Sequence, residues 1–306
     1  MNKSVLVLLG MVLMVGALAG VAGTESRPAV ENQAARDKQE TTSVIWAGES
    51  GGFKIRWTDS NIQVHPLKSP NRVVFSARSL AQQEFARIKA SEKKYGLKER
   101  YCEIVASYGI FSVVGSILSL FEGGDVYCEE TAHPSHTSRY IAIDLKKPGG
   151  FTKKRVKLTD YFPEEAIYQA LLADPRVRRD LARREPPLSP SPRTLGEIYA
   201  LFKKLPLDDG ESSYELPEDF LTRFAFHHLE GDKVAVRLAL PCLGQVNAGL
   251  NLELDLMLPV PESLKESLAL AQTGKAGFLM QDQKRLSEGR DTIMRFTKGK
   301  QKPEQE

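Results

Sequence analysis

The stretches "KVAVRLAL" (residues 233–240) and "NLELDLML" (residues 251–258) carry the clearest pattern in this chain of 306 residues. Every second residue in both stretches is Val or Leu, and the residues between them are mostly charged, polar or small. Because successive side chains of a strand point to opposite faces, this alternation predicts two strands with one buried and one wet face. Such strands are typical of an antiparallel sheet.

Three short runs near the start of the folded chain are rich in β-branched and aromatic residues. They are "SVIWAG" (43–48), "GFKIRW" (52–57) and "NIQVHP" (61–66). Residues that favour turns divide them, as in "ESGG" and "TDS". The three runs therefore predict a small β-meander.

Further β-prone runs follow between residues 100 and 132. They are "RYCEIVASYG", "IFSVVGSILSLFEG" and "DVYCEETA". We expect consecutive antiparallel strands here, and we expect Gly123–Gly124 to supply a turn between two of them.

Helices are predicted where an N-terminal capping residue precedes apolar residues at helical spacing. Ser79 with Gln82 forms one capping box, and the helix that it opens should end at Gly96. The other predicted helices begin at Asp174 and at Thr194, and Leu264, Leu268 and Ala271 mark a closing helix. Together the strands and helices predict an α+β fold, with antiparallel sheets against which several helices pack.

The composition is that of an ordinary globular protein, with 42% hydrophobic residues. Lys and Arg number 42 against 39 Asp and Glu, which gives a net charge of +3. A nucleic-acid surface needs concentrated positive charge, so nucleic acid is excluded as the expected partner. The sequence also contains neither a phosphate-binding glycine loop nor a G-x-S-x-G nucleophile motif.

The first 23 residues contain one lysine, an apolar run from Val5 to Val21 and a small-residue end. This pattern predicts a secretory signal peptide, cleaved after Ala19 or Gly23, and a periplasmic or secreted protein. The alternative is an uncleaved anchor, because the apolar run is just long enough to span a bilayer; only then would the chain contact a membrane.

The chain after residue 23 is predicted to have three parts. Residues 24–42 are poor in large apolar residues and predict a disordered linker. Residues 43–280 form the α+β domain, with a sub-boundary near residue 135. Residues 281–306 form a polar tail.

Export would place the three cysteines in an oxidising compartment. Cys102 and Cys128 lie in neighbouring predicted strands and are the favoured disulfide pair, although strand register decides whether their Cβ atoms can meet. This pairing leaves Cys242 without a cysteine partner. No His or Asn can be assigned to it by spacing, so we interpret it as a small buried residue rather than a nucleophile.

The stretch "EETAHPSHTSRYIAIDL" (129–145) contains two histidines and an aspartate in a small space of sequence. Pro134 excludes a helical pair of zinc ligands, because proline cannot sit inside a helical turn. We expect a structural corner, with His133 bonded to backbone or to Asp144. The alternatives are a ligand or partner surface around His133, Pro134 and His136, and a metal site.

This stretch also resembles a known family. "CEETAHPSHTSRYIAIDL", followed by "VKLTDYFPEEAIYQALL", is similar to the extracytoplasmic domain of unknown function shared by the anti-sigma factor RsiV and the peptidoglycan deacetylase PdaC. The resemblance spans roughly residues 44–258. Glu130–Thr131 stand where the family has Gly-Gly, and 237–254 lack its tyrosine-rich motif. The resemblance implies an α+β domain that faces the cell wall and binds or senses something there.

Five arginines lie between residues 176 and 184, and Arg178, Arg179 and Arg183 are candidate binding residues among them. Arginine forks bind phosphate and carboxylate polymers, so one hypothesis is a contact with anionic lipid or cell-wall polymer. The other is a solvated helix face, since acidic residues nearby partly neutralise the charge.

The sequence thus predicts an exported binding or sensing protein of the cell envelope, without catalysis or cofactor. Its expected partner is an envelope protein or a cell-wall glycan. The alternative function is that of a cell-wall hydrolase or deacetylase, or its accessory domain, with help from a metal. That alternative needs a nucleophile, a base and an orienting group, and no spacing in the sequence supplies them.

Overall fold

A computed structural model describes residues 43–69, 73–129, 134–148, 151–184, 192–208, 210, 212–243, 251–282 and 293–298. The predicted signal peptide (1–23) and linker (24–42) lie outside the described residues. The chain from Thr42 onward forms one compact unit. The fold is α+β with antiparallel sheets, as the sequence predicts.

The first sheet is the predicted meander. Its strands pair antiparallel in the order of the sequence: β1 (Val44–Ser50), β2 (Phe53–Thr58), β3 (Asn61–Pro66) and β4 (Val73–Ser76). Its inner face buries Ile55, Trp57, Ile62 and Val64, which alternate with exposed or half-buried residues along the strands. The period of two in the sequence therefore decides which face is buried.

Helix α1 (Ala77–Tyr95) follows the first sheet directly. Its capping residue is Ser76, whose extended backbone lets its side chain accept a hydrogen bond from the Ser79 N–H at 3.2 Å. The prediction that Ser79 and Gln82 cap the helix was wrong, because β4 turns into the helix one turn earlier. The helix ends at Gly96, whose φ of 64° is the left-handed conformation that glycine adopts at low cost.

The second sheet has five strands. The long strands β5 (Cys102–Val114), β6 (Ile117–Cys128) and β7 (Ser135–Asp144) pair in sequence order. The short β13 (Gly277–Phe278) and the C-terminal β14 (Ile293–Lys298) both pair with β5. The strand that begins at Ser135 pairs with β6 along its length, so the chain crosses residue 135 within one sheet.

Two predictions for this sheet were wrong. Gly123–Gly124 lie inside β6, and the turn is at Gly115–Ser116, where Gly115 has a φ of 57°. Residues 100–128 therefore form two long strands and not three. The predicted polar tail, 281–306, also contains β14, which Phe296 and Met294 anchor to the core under α1.

The disulfide joins Cys102 to Cys128, which stand directly opposite each other on β5 and β6. It is the pairing that the strand order favours. Cys242 forms no disulfide and is half-buried.

The third sheet contains the two stretches with the clearest alternation. Strands β10 (Phe224–Glu230), β11 (Lys233–Pro241) and β12 (Asn251–Pro259) pair antiparallel, with Val234 opposite Leu258 and Leu240 opposite Leu252. The Val and Leu face packs against the helices α2 (Glu164–Ala173) and α5 (Lys265–Gln272). The helices α3 (Pro175–Arg183) and α4 (Leu195–Lys204) pack on α2 and complete the same hydrophobic core. A two-stranded ribbon, β8 (Leu207–Asp208) and β9 (Ser213–Tyr214), lies beside them.

The other face of the third sheet was predicted to be wet, and this was wrong for its small residues. Ala225 and Ala239 are buried against Tyr140 of β7, with Phe111 and Phe121 beside them. The small side chains let the second and third sheets approach. In the described part of the chain, no helix combines the length and apolarity that crossing a membrane requires.

Candidate functional site

The histidine corner is only partly described. His133 lies outside the described residues, and Pro134 is exposed just before β7. His136 is exposed on β7, and its Nδ1 lies 2.5 Å from Oδ1 of Asp125 on β6. Half of the aspartate side chain is exposed, so this contact competes with water and stabilises the fold only weakly.

Asp144 does not share this corner. It ends β7, and the extended strand places it about 26 Å from His136. Its carboxylate accepts a hydrogen bond from the Lys146 N–H at 3.0 Å and so closes the turn that follows the strand. Asp144 is therefore separated from His136, because the strand between them is extended; the predicted bond between His133 and Asp144 falls on a residue outside the described part of the chain.

Among the described residues, no group of three or more His, Cys, Asp or Glu side chains is placed to hold a metal ion. The metal hypothesis for the corner depended on His133 together with His136. Because His133 lies outside the described part of the chain, that hypothesis is tested by measuring the metal content of the wild type and of the histidine variants.

Helix α3 begins as predicted, with Asp174 accepting the Arg176 N–H at 2.8 Å and Pro175 in the first turn. The three candidate arginines, Arg178, Arg179 and Arg183, are exposed. Arg184 is a structural residue: it pairs with buried Asp180 and lies 5.3 Å from the Phe202 ring. The arginines of α3 and the histidine corner lie in different layers of the fold, because α3 packs on α2 and the corner belongs to the second sheet.

A groove beside α1 is a cavity to which several charged side chains converge. We call it the α1 groove. One part has a volume of about 350 Å³, and the adjoining part, of about 290 Å³, reaches β4. Both parts are lined by Leu80 and Gln83 of α1, Glu122 of β6 and Arg139 of β7. The groove forms because α1 packs on β5 and β14 and leaves the neighbouring strands uncovered.

Two glycines line the floor of the α1 groove, Gly123 and Gly124 in the middle of β6. Gly124 lies on the face of the strand that carries Glu122, so the missing side chain there keeps this part of the floor low. A Cβ on Gly124 would overlap the Val105 carbonyl oxygen, and one on Gly123 would lie 2.7 Å from the Phe121 ring. The glycines that suggested a turn are therefore needed for close packing and for the shape of the cavity.

Two ion pairs face each other across the α1 groove. On the strands, Arg139 donates from Nε (2.8 Å) and Nη2 (2.6 Å) to Oε2 of Glu122. On the helix, Arg87 pairs with Glu84 at 2.5 Å. The side chain of Glu122 is 13% exposed and that of Arg139 is 43% exposed, so the arginine remains open to a ligand while the carboxylate below it is mostly covered.

A third arginine lines the part of the groove that reaches β4. Arg155 donates from Nη1 to Oδ2 of Asp219 at 3.3 Å, a long hydrogen bond. Asp219 also accepts a shorter bond, 2.8 Å, from Nε of Arg223. Among the described residues, Nε of Arg155 is buried without a hydrogen-bond partner. Three arginines thus face two glutamates in the groove lining, which gives this site a positive excess.

The opposite face of β7 carries a second charged cluster, the junction network of Tyr140, Arg237, Glu253 and Asp255. The Tyr140 hydroxyl donates to the Glu253 carboxylate. Arg237 donates to Glu253 at 3.0 Å and to Asp255 at 2.7 Å. Burial, and then the hydrogen bond to Glu253, raise the pKa of Tyr140, so the hydroxyl keeps its proton. The cluster satisfies itself and joins the second sheet to the third.

His227 and His228 lie beside the junction network on β10, with their Nδ1 atoms 2.7 Å apart. Burial lowers the pKa of His227, and the positive charge of Arg237 lowers it further. Both side chains are half-buried, at the rim of the core. The surroundings of His227 favour its neutral form.

The sequence analysis missed the α1 groove. Two signals in the sequence pointed to it: adjacent glycines within a β-prone run, and charged residues, Glu122 and Arg139, at positions that should face the core side of their strands. Their meaning depends on where α1 lies, which no local pattern gives.

The chain was compared with protein-family models and with curated proteins. No family model matches it, and no curated protein matches it.

Proposed function

We propose that this chain is an exported protein of the cell envelope that binds or senses a ligand without catalysis, and that the α1 groove is its ligand site. The observation that carries the proposal is the groove itself. It combines apolar walls, a glycine floor and arginines that retain open hydrogen-bond donors. Ligand sites of proteins typically combine an apolar lining with a few placed polar groups.

Three features support export to the envelope. Residues 1–23 have the composition of a signal peptide. The disulfide between Cys102 and Cys128 suits an oxidising compartment. The resemblance of residues 128–172 to the domain shared by RsiV and PdaC implies a position facing the cell wall.

The choice of a binding function over a catalytic one rests on the lining. The ionisable groups that line it are arginines, glutamates and Tyr108, and burial together with Asp59 raises the pKa of this tyrosine. Each glutamate forms an ion pair with an arginine: Glu84 with Arg87, and Glu122 with Arg139. A carboxylate whose oxygen accepts hydrogen bonds from an arginine is not positioned to take a proton from a substrate. The same groups are well suited to hold a charged ligand.

The test for the groove is calorimetric titration of the mature protein with soluble cell-wall fragments. Arg139→Glu replaces an arginine with a third carboxylate in the groove and should weaken binding at least about tenfold. Arg78→Glu is the matched control, because Arg78 is an exposed arginine of α1 that does not line the groove. Equal losses in the two variants, or no binding by the wild type, would refute the assignment.

Export has its own test. Fused to a reporter that is active only outside the cytoplasm, residues 1–23 should direct secretion, and the mature protein should begin between Gly20 and Thr24. An intact Met1 on purified envelope protein would instead identify an anchor.

A further inference from the structure

We infer that the ligand of the α1 groove is a short extended peptide with a free carboxylate, and that Arg155 and Arg139 hold that carboxylate. This inference rests on the proposed function and narrows it to a chemical class. It follows from the charge, the length and the walls of the groove.

The charge of the groove is uneven along its length. At the end near the start of α1, the lining includes Arg139 and Arg155 but only one carboxylate, Glu122. At the other end, Glu84 and Arg87 neutralise each other. An anionic group on a ligand is therefore stabilised at one end of the groove only, and this gives the bound ligand a direction.

Arg155 has the donors that a carboxylate requires. Its hydrogen bond to Asp219 is long, at 3.3 Å, and Asp219 is shared with Arg223. Its side chain is 26% exposed. A guanidinium has five N–H donors in a fixed fork, and a carboxylate accepts two of them in parallel. The Nε of Arg155 is buried, so a carboxylate from solvent reaches the guanidinium through its Nη groups, of which the bond to Asp219 uses only one N–H.

The length of the groove suits a short peptide. The segment of α1 from Ser76 to Arg87, which borders both parts, rises about 17 Å. An extended chain advances about 3.3 Å per residue, so about five residues would span the groove. The glycine floor leaves room for a backbone, and the amide of Gln83 lies on the wall where it can bond to a peptide group.

The walls suit the apolar side chains of a peptide. Near the positive end they include Ile62, Val73, Leu80 and Leu120, together with the aromatic residues Phe75, Tyr108 and Phe121. The same end is bordered by β4, the last strand of the first sheet. A peptide beside an edge strand can run along it, with its own side chains directed alternately toward the apolar walls and toward solvent.

The experiment compares three probes by calorimetry with the mature protein. The first is a disaccharide–peptide fragment of the cell wall with its free carboxylates, the second is the same fragment with those carboxylates amidated, and the third is the disaccharide without peptide. We expect the first to bind, and the second and third to bind at least about tenfold more weakly. Arg155→Gln should remove the preference for the free carboxylate, with affinity for the amidated fragment unchanged.

Two further variants make the result specific. Arg155→Lys keeps the charge but loses the fork, and should retain only part of the preference. It also serves if Arg155→Gln proves unstable in a denaturant melt. Arg78→Gln, outside the groove, should leave the preference intact.

The outcomes separate this inference from the proposed function. If the disaccharide alone binds as tightly as the whole fragment and Arg139→Glu still abolishes binding, the groove is a ligand site but the peptide assignment is overturned. If Arg155→Gln keeps the full preference for a free carboxylate, the role of Arg155 is overturned. If none of the three probes binds, the inference and the proposed function both fail.

Discussion

The two faces of the second sheet are held in different ways. On one face, the closed face, Tyr140 packs between the second and third sheets, is 3% exposed and belongs to a closed network of hydrogen bonds. On the other face, the open face, the same strands border the α1 groove, where Arg139 is open to solvent. Arg139 and Tyr140 are neighbours in sequence, yet they serve opposite purposes because successive side chains of β7 point to opposite faces.

The open face is stabilised by contacts that do not require another sheet or helix to cover the groove. The disulfide between Cys102 and Cys128 closes it covalently. Buried Glu92 of α1 pairs with Lys298 of β14 at 3.0 Å, which fixes the helix to the edge of the sheet. These links keep the groove in shape while leaving its floor uncovered. A preformed site of this kind loses little entropy when it binds.

The largest effect should come from removing the disulfide. The double variant Cys102→Ala, Cys128→Ala should lower the free energy of unfolding by about 2–4 kcal/mol, because the bond restricts the unfolded chain. A denaturant melt measures the loss. Hydrogen exchange should show the loss first in the part of β5 and β6 next to the disulfide. An equal rise in exchange around Tyr140 would contradict the idea that the closed face is held independently of the disulfide.

A smaller loss of stability is expected from a change on the closed face. Tyr140→Phe removes the hydroxyl that donates to Glu253 and should cost about 1–2 kcal/mol, since hydrogen bonds to charged groups are among the stronger ones. Tyr127→Phe is the control, because Tyr127 is an exposed tyrosine on the neighbouring strand and its change should stay within about 0.5 kcal/mol. Indistinguishable melts for the two variants would show that the network does not stabilise the junction.

Arg139→Gln should change stability by less than about 1 kcal/mol, because an ion pair of this exposure contributes little. It should nevertheless weaken the binding of cell-wall fragments. This split between stability and binding is opposite to that of Tyr140→Phe. A large loss of stability without a loss of binding would assign Arg139 to the scaffold.

The stability contributed by the closed face should also depend on pH, through His227 beside the junction network. The pKa of His227 is lowered, so below about pH 6.5 the unfolded chain binds a proton that the folded chain resists. Stability from this source is therefore present above pH 6.5 and is lost as the pH falls. His227→Gln should flatten this part of the dependence when melts at pH 7.5 and 5.5 are compared. An unchanged slope would show that burial does not hold His227 neutral.

The smallest effect is expected at the histidine corner. His136→Ala should alter the free energy of unfolding by no more than about 0.5 kcal/mol, because its pair with Asp125 is exposed. His133→Ala should cost more, about 1–3 kcal/mol, if His133 bonds to a buried group. Neither change should alter metal content. Equal losses at both histidines that a chelator reproduces in the wild type would establish a metal site instead.

The sequence was sufficient for the features that depend on local pattern. The alternation at 233–240 and 251–258, the meander, and the helix starts at Asp174 and Thr194 agree with the structure, because period and capping are properties of a few adjacent residues. The helix start at Ser79 was displaced because Ser76 satisfies the same capping rule one turn earlier.

The features that failed depend on distant parts of the chain. Gly123–Gly124 favour a turn locally, but β5 passes so close to β6 that only glycine fits there. Residues 293–298 have the pattern of a polar tail. They form a strand because of contacts with distant residues, such as the ion pair of Lys298 with Glu92. The α1 groove could not be predicted for the same reason. It is a gap between elements, and its arginines come from α1, from β7 and from the segment that follows β7.

The most direct test of the α1 groove is hydrogen–deuterium exchange of the mature protein with and without saturating cell-wall fragments. If the groove is the ligand site, the ligand should slow exchange in the two segments that border it, residues 80–87 of α1 and 122–126 of β6. Helix α3, with its exposed arginines, should exchange at the same rate in both samples. Protection confined to residues 175–183, with none along the groove, would contradict the account.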